Sequence, residues 1–136
     1  MSSTKKECGV MVLVVDDDPA IRDALEILLG AYGLPVRTFQ SGPDFLARAE
    51  SHEPGCLVLD IHMPEMNGFD LLKRIEAGGR LLPTVMMSSR ADEETKRNAV
   101  KAGAIGILEK PFDSDELFAA LETLTSPFCR PASQLA

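Results

Sequence analysis

Five short apolar runs, at residues 10–15, 35–39, 56–59, 84–87 and 106–108, recur along this chain, and a longer stretch with helical spacing follows each. That alternation is the strongest constraint on the fold. A run that is apolar at every position has no face for water, so a sheet built from such runs must be covered on both sides. Ile21, Leu25 and Leu28 repeat at i, i+4 and i+7 in the first intervening stretch. Phe45 and Ala49 mark the second, Leu71, Leu72 and Ile75 the third. The fourth, over 92–102, is mostly charged, with Ala99 and Val100 as its main apolar residues; the last carries Leu117, Phe118, Leu121 and Leu124. Asp18 before Pro19 reads as an N-cap with proline at the first helical position. Gly30, Gly33, Gly78, Gly79 and Gly103 stand where helices are expected to stop. Together these signals predict an α/β fold of five strand–helix units in one domain, with a parallel sheet covered by helices on both sides.

Bulk properties fit that reading. The chain has 136 residues, 45% hydrophobic and 26% charged, enough for one core without staples. A net charge of -7 argues against direct nucleic-acid binding. Lysines precede the first apolar run, but that run stops at three aspartates without a small-residue cleavage site, so it is no signal peptide. No run approaches the roughly 20 apolar residues of a membrane-spanning helix. Cys8, Cys56 and Cys129 are odd in number and contain no CxxC pair, which indicates neither a disulfide framework nor a zinc ribbon. A reduced, cytoplasmic setting is expected. Residues 1–8 read as a flexible tail, 9–125 as the domain, and 126–136 as a tail or the start of a linker.

The chemistry gathers at strand ends. The first run ends as VMVLVVDDD, and carboxylates packed this closely destabilise one another unless positive charge joins them. Asp18 has work as a cap; Asp16 and Asp17 do not, and a solvated turn or half of a cation site would each account for them. The third run ends in CLVLDIHMPEMNG, which puts Asp60 at the same edge, where ligands bind in open parallel sheets. If the first and third strands are neighbours, three acids share a crevice suited to a hard divalent cation such as Mg²⁺. The fourth run ends PTVMMSS, offering Ser88 or, less well placed by alternation, Ser89. The fifth ends ILEKPF and delivers Lys110. A cation and an ammonium around a carboxylate nucleophile are equipment for phosphoryl transfer. His52 and His62 read as exposed side chains, and Met63, Met66, Met86 and Met87 as packing residues. Asn67–Gly68 reads as a turn into the third helix.

The set VVDDDP, LVLDIHMPEMNGFDLL, TVMMSS and ILEKPF resembles the receiver domain of two-component response regulators, over about residues 9–125, and that resemblance implies a doubly wound, flavodoxin-like (CheY-like) (βα)5 domain with its five parallel strands in order 2-1-3-4-5. The resemblance implies that Asp60 accepts a phosphoryl group from a sensor histidine kinase or phosphotransfer protein. It implies Mg²⁺, with Mn²⁺ or Ca²⁺ as alternatives, held by Asp17, by Asp16 largely through water, by Asp60 and by the backbone carbonyl of His62. Lys110 is expected to pair with Asp60 at rest, Ser88 to turn towards the phosphoryl group, and the Lys110–Pro111 bond to be cis. Ile107 departs from the aromatic residue common at its position, so only the Ser88 half of the usual switch is present. His62 and Arg90 occupy positions that tune phosphate lifetime in the family. The resemblance also implies a signalling domain that catalyses only its own phosphorylation and dephosphorylation. A homodimer through the fourth helix, fifth strand and fifth helix, or an output domain in a longer parent chain, would read its state. The sparsely anchored fourth helix is expected to be the element that moves. Two rivals are an aspartate-nucleophile phosphatase of the haloacid dehalogenase type, for which Asp16 and Asp18 offer D-x-D without the residue that should follow, and a pseudo-receiver, which normally lacks an acid or the lysine.

Overall fold

The computed structural model describes residues 7–8, 10–49, 55–126 and 129–130. Its elements alternate as expected: β1 (Met11–Val15), α1 (Pro19–Tyr32), β2 (Val36–Phe39), α2 (Gly42–Arg48), β3 (Gly55–Asp60), α3 (Gly68–Ala77), β4 (Thr84–Ser88), α4 (Glu93–Lys101), β5 (Gly106–Glu109) and α5 (Ser114–Thr125). The five strands form one parallel sheet in the order β2-β1-β3-β4-β5. Strand limits differ from the sequence reading by one residue. β1 and β2 start later, β3 extends at both ends, and β4 and β5 take in Ser88 and Glu109, polar residues that the apolar pattern left outside.

Alternation along the strands divides the interior into two cores. Val12, Val14, Cys56 and Val58 pack with Leu25 and Leu29 of α1 and Leu117, Leu121 and Leu124 of α5. Leu13, Val15, Leu57 and Leu59 face the other way, against Phe45, Leu71, Leu72, Ile75 and Ala99. Met86 and Met87 are fully buried, one in each core, consistent with methionine as packing. Tyr32 joins α1 to α5, stacking on Phe118 at 4.8 Å and donating its hydroxyl to Glu122 Oε2 at 2.6 Å. Burial and then the Glu122 carboxylate push its pKa up to about 12.

Helix ends follow local chemistry with one exception. Asp18 caps α1 by accepting from the Ala20 N–H at 2.9 Å. Asn67 and Asp70 form a reciprocal capping box at the start of α3, as do Asp113 and Glu116 at α5. Gly30, expected at a helix end, lies inside α1, which runs on to Tyr32 and closes at Gly33 with φ 92°. The buried stripe through Leu25 and Leu29 carries the helix past it. Val100, one of the two main apolar residues of α4, is 71% exposed; only Ala99 of that helix is buried.

A prediction follows for Gly30. A Cβ at Gly30 would meet nothing within 4 Å, so Gly30→Ala is expected to stabilise the fold by about 0.5–1 kcal/mol. Chemical denaturation measures it; a lower midpoint would contradict the open space seen there.

Glu7–Cys8 and Cys129–Arg130, within the stretches read as tails, pair antiparallel as a separate two-stranded ribbon. Residues 1–6 and 131–136, and His52, lie outside the described residues. No helix among the described residues is long and apolar enough to cross a membrane.

Candidate functional site: an acidic crevice at the carboxyl edge of the sheet

Strand order brings the chemistry together. β1 lies beside β3 with Val15 opposite Leu59, so the next residues, Asp16 and Asp60, meet at the same edge. Ligand atoms of Asp16, Asp17 and Asp60 lie within 4.8 Å of one another. Asp16 and Asp60 are buried and Asp17 is exposed. Asp16 is the best-held of the three. Its Oδ1 accepts from the Asp18 N–H at 2.9 Å, its Oδ2 from Lys110 Nζ at 2.8 Å, and its carbonyl from Arg22 Nη1 at 2.8 Å.

Lys110 reaches the crevice because its N–H donates to the Ser88 carbonyl at 2.8 Å, where β5 leaves β4. The expected resting pair with Asp60 is present at 3.3 Å, but the shorter contact is to Asp16. The ammonium therefore bridges two acids rather than serving one. Burial alone would lower its pKa; the hydrogen bond and charge of Asp16, with Asp60 behind them, outweigh this and hold it above its ordinary value. Asp60 shows the opposite balance. Burial first, and then the negative charge of Asp16, push its pKa up to about 6 despite the pull of Lys110. One ammonium does not neutralise three carboxylates. The surplus charge and the oxygen-only donor set fit a hard divalent cation.

Ser88 is fully buried and Ser89 is exposed, so alternation turns Ser88 inward. Its Oγ donates to the Arg90 carbonyl at 2.9 Å and accepts from the Arg90 N–H at 3.0 Å. His62 Nε2 lies 3.2 Å from the same oxygen. His62 is exposed as expected, but its ring has a partner that the sequence reading did not foresee. Arg22 was also missed, though its place one turn beyond the Asp18 cap was a usable signal. Ile107 is half-buried against the second core. The Lys110–Pro111 peptide is cis. Asp18 faces its own helix as a cap, which leaves D-x-D phosphatase chemistry without its second acid.

A profile of the response regulator receiver domain matches residues 12–122. The chain belongs to the response regulator receiver family, signalling domains of two-component systems. It is 38% identical over 121 residues to the transcriptional regulatory protein TdiR of Thauera aromatica, a match covering 89% of this chain and 53% of TdiR. It is 41% identical over 118 residues to the DNA-binding transcriptional regulator NtrC of Salmonella typhimurium, covering 87% of this chain and 25% of NtrC. Among solved structures it resembles the chemotaxis protein CheY4 of Vibrio cholerae, with a TM-score of 0.78 and 30% identity over 85% of this chain and 98% of that one. The chain thus spans about half of TdiR and a quarter of NtrC.

Proposed function

We propose that this chain accepts a phosphoryl group on Asp60 from a phosphohistidine of a sensor histidine kinase or phosphotransfer protein, and that the modification resets a surface read by an output domain or a second copy. One observation carries the reading. A buried carboxylate with a raised pKa stands 3.3 Å from an ammonium, with two further acids able to share a cation.

Asp17, Asp60 and the His62 carbonyl would hold Mg²⁺ directly and Asp16 through water, with Mn²⁺ or Ca²⁺ as alternatives. When bound, the ion supplies charge neutralisation for the phosphoryl oxygens. The Asp60 carboxylate oxygen attacks phosphorus, and the P–N bond breaks with its electron pair returning to the donor imidazole. Lys110 transfers part of its attention from Asp60 to a phosphoryl oxygen while Asp16 keeps it in place. Ser88 gives up the Arg90 carbonyl and donates to the phosphoryl group, which releases the β4–α4 connection. α4 buries only Ala99, so it shifts at low cost. The α4, β5 and α5 face then offers a second state for homodimerisation or for an output domain, with Ile107 packing rather than ring rotation on the β5 side. The setting would be cytoplasmic, with the domain catalysing only its own phosphorylation and dephosphorylation.

Incubation with Mg²⁺ and a small acyl phosphate, followed by intact mass measurement, is expected to show one added phosphoryl group that chelation prevents. A second arm supplies a generic phosphate ester. Sustained turnover of that ester, or an adduct that forms without divalent ion, would reject the reading.

A further inference from the structure

His62 touches both halves of the site. β3 runs beside β4 with Asp60 opposite Met87, and the Ile61 N–H donates to the Met87 carbonyl at 2.9 Å. That register carries the chain from Asp60 directly past Ser88. The main-chain N–H of His62 donates to the Asp60 carboxylate, while its ring Nε2 lies 3.2 Å from Ser88 Oγ. One residue thus spans the acceptor and the hydroxyl that answers it.

Counting hydrogens on Ser88 fixes the sense of the contact. A hydroxyl has one hydrogen to donate and two acceptor sites. The hydrogen goes to the Arg90 carbonyl at 2.9 Å, and one acceptor site takes the Arg90 N–H at 3.0 Å. Only an acceptor site is left, so His62 Nε2 carries a proton and donates it. Ser88 is fully buried, and with His62 in place its hydrogen-bonding capacity is filled while it faces Arg90. Of the three bonds, both Arg90 contributions come from the main chain. The His62 bond alone comes from a side chain, so it is the one that this sequence could have lacked.

We propose that His62 is a positioning residue acting through Ser88: its ring latches the hydroxyl towards Arg90 before phosphorylation and releases it when Asp60 is modified. This role rests on Asp60 as the phosphoacceptor. Turning to a phosphoryl oxygen, Ser88 gives up the His62 bond together with both Arg90 bonds. The His62 ring is exposed, so on release it exchanges a protein partner for water. The latch therefore opposes the turn by the net worth of one hydrogen bond. Binding of a phosphoryl group and the turn of Ser88 are linked equilibria. Whatever stabilises the unturned state weakens the grip on the phosphoryl group by the same factor.

The test titrates beryllofluoride, a mimic of a phosphoryl group on a carboxylate, into the full chain at saturating Mg²⁺. Binding is followed by the backbone amide resonances of Ser88 and Arg90. His62→Ala removes the ring and keeps the main-chain groups. It is expected to bind the mimic roughly two- to tenfold more tightly than the parent, the factor that one hydrogen bond is worth. A residue with a merely structural role would not tighten binding when removed. In Ser88→Ala, which has no hydroxyl to hold, adding His62→Ala should leave the affinity unchanged. Equal or weaker binding by His62→Ala, in a parent that binds, overturns the latch alone. So does a gain in affinity that persists without the Ser88 hydroxyl. A parent chain that takes no beryllofluoride removes Asp60 as acceptor, and the latch with it.

Discussion

Asp60→Asn is expected to take up no phosphoryl group from an acyl phosphate under conditions in which the parent chain is fully modified, and to melt at a higher temperature above pH 6. Both effects come from one carboxylate. The amide lacks the anionic oxygen that the proposed transfer requires, so no adduct is expected. It also removes the charge that burial and Asp16 disfavour. The direction with pH follows from the raised value of about 6, against an ordinary 3.8. Between those values the folded chain holds a proton that the unfolded chain has released, so parental stability rises as pH falls through the window. Above pH 6 both forms are ionised and the folded state bears the full cost, at most about 3 kcal/mol for a shift of this size. The advantage of Asn should therefore be largest at neutral pH and fade towards pH 4. Lys110 keeps its 2.8 Å contact with Asp16 throughout, so the variant retains a paired ammonium. Mg²⁺ should raise the melting temperature of the parent and act far less on the variant. Metal-free melting curves from pH 4 to 8 decide the matter; a variant less stable than its parent at pH 7.5 would overturn this electrostatic account.

Gly68→Ala should be the most damaging single-methyl change near the site. An ideal Cβ there would sit 2.6 Å from the Asp60 carbonyl oxygen and 3.0 Å from the Ile61 Cα. Both atoms are backbone and cannot move aside as a side chain could. The Gly68 N–H donates to the Ile61 carbonyl at 2.9 Å, and the Asn67–Asp70 box fixes the start of α3, so the helix cannot easily back away. Something must shift, and the end of β3 at Asp60 is the neighbour. A loss of about 1–3 kcal/mol is expected, lowering the melting temperature by roughly 5–10 °C, together with slower phosphoryl acceptance as Asp60 is displaced. Gly30→Ala, with open space around it, provides the opposite-signed control. An unchanged melting temperature for Gly68→Ala would show that the contact is easily relieved.

The physical content of these two glycines differs in a way that their local sequence does not show. Gly30 looked like a helix stop and is a helix interior; Gly68 looked like half of a turn and is a close approach to the Asp60 backbone. The elements themselves were legible because hydrophobic periodicity is local. Runs apolar at every position imply burial on both faces, and the i, i+4, i+7 repeats identify helices without any distant information. The same holds for Asp18 before Pro19, whose capping role needs only its immediate neighbours. Strand-end polar residues were legible for a related reason, since a parallel sheet collects all its carboxyl ends at one edge.

What periodicity cannot carry is distance between residues far apart in the chain. Only the folded sheet decides that Lys110 sits closer to Asp16 than to Asp60, that the His62 ring meets Ser88, and that Val100 faces water while Ala99 alone anchors its helix. Each depends on the register and tilt of elements packed by a non-directional hydrophobic force, so the chain itself determined which residues share an edge or a face, and the tertiary structure decided which of them touch.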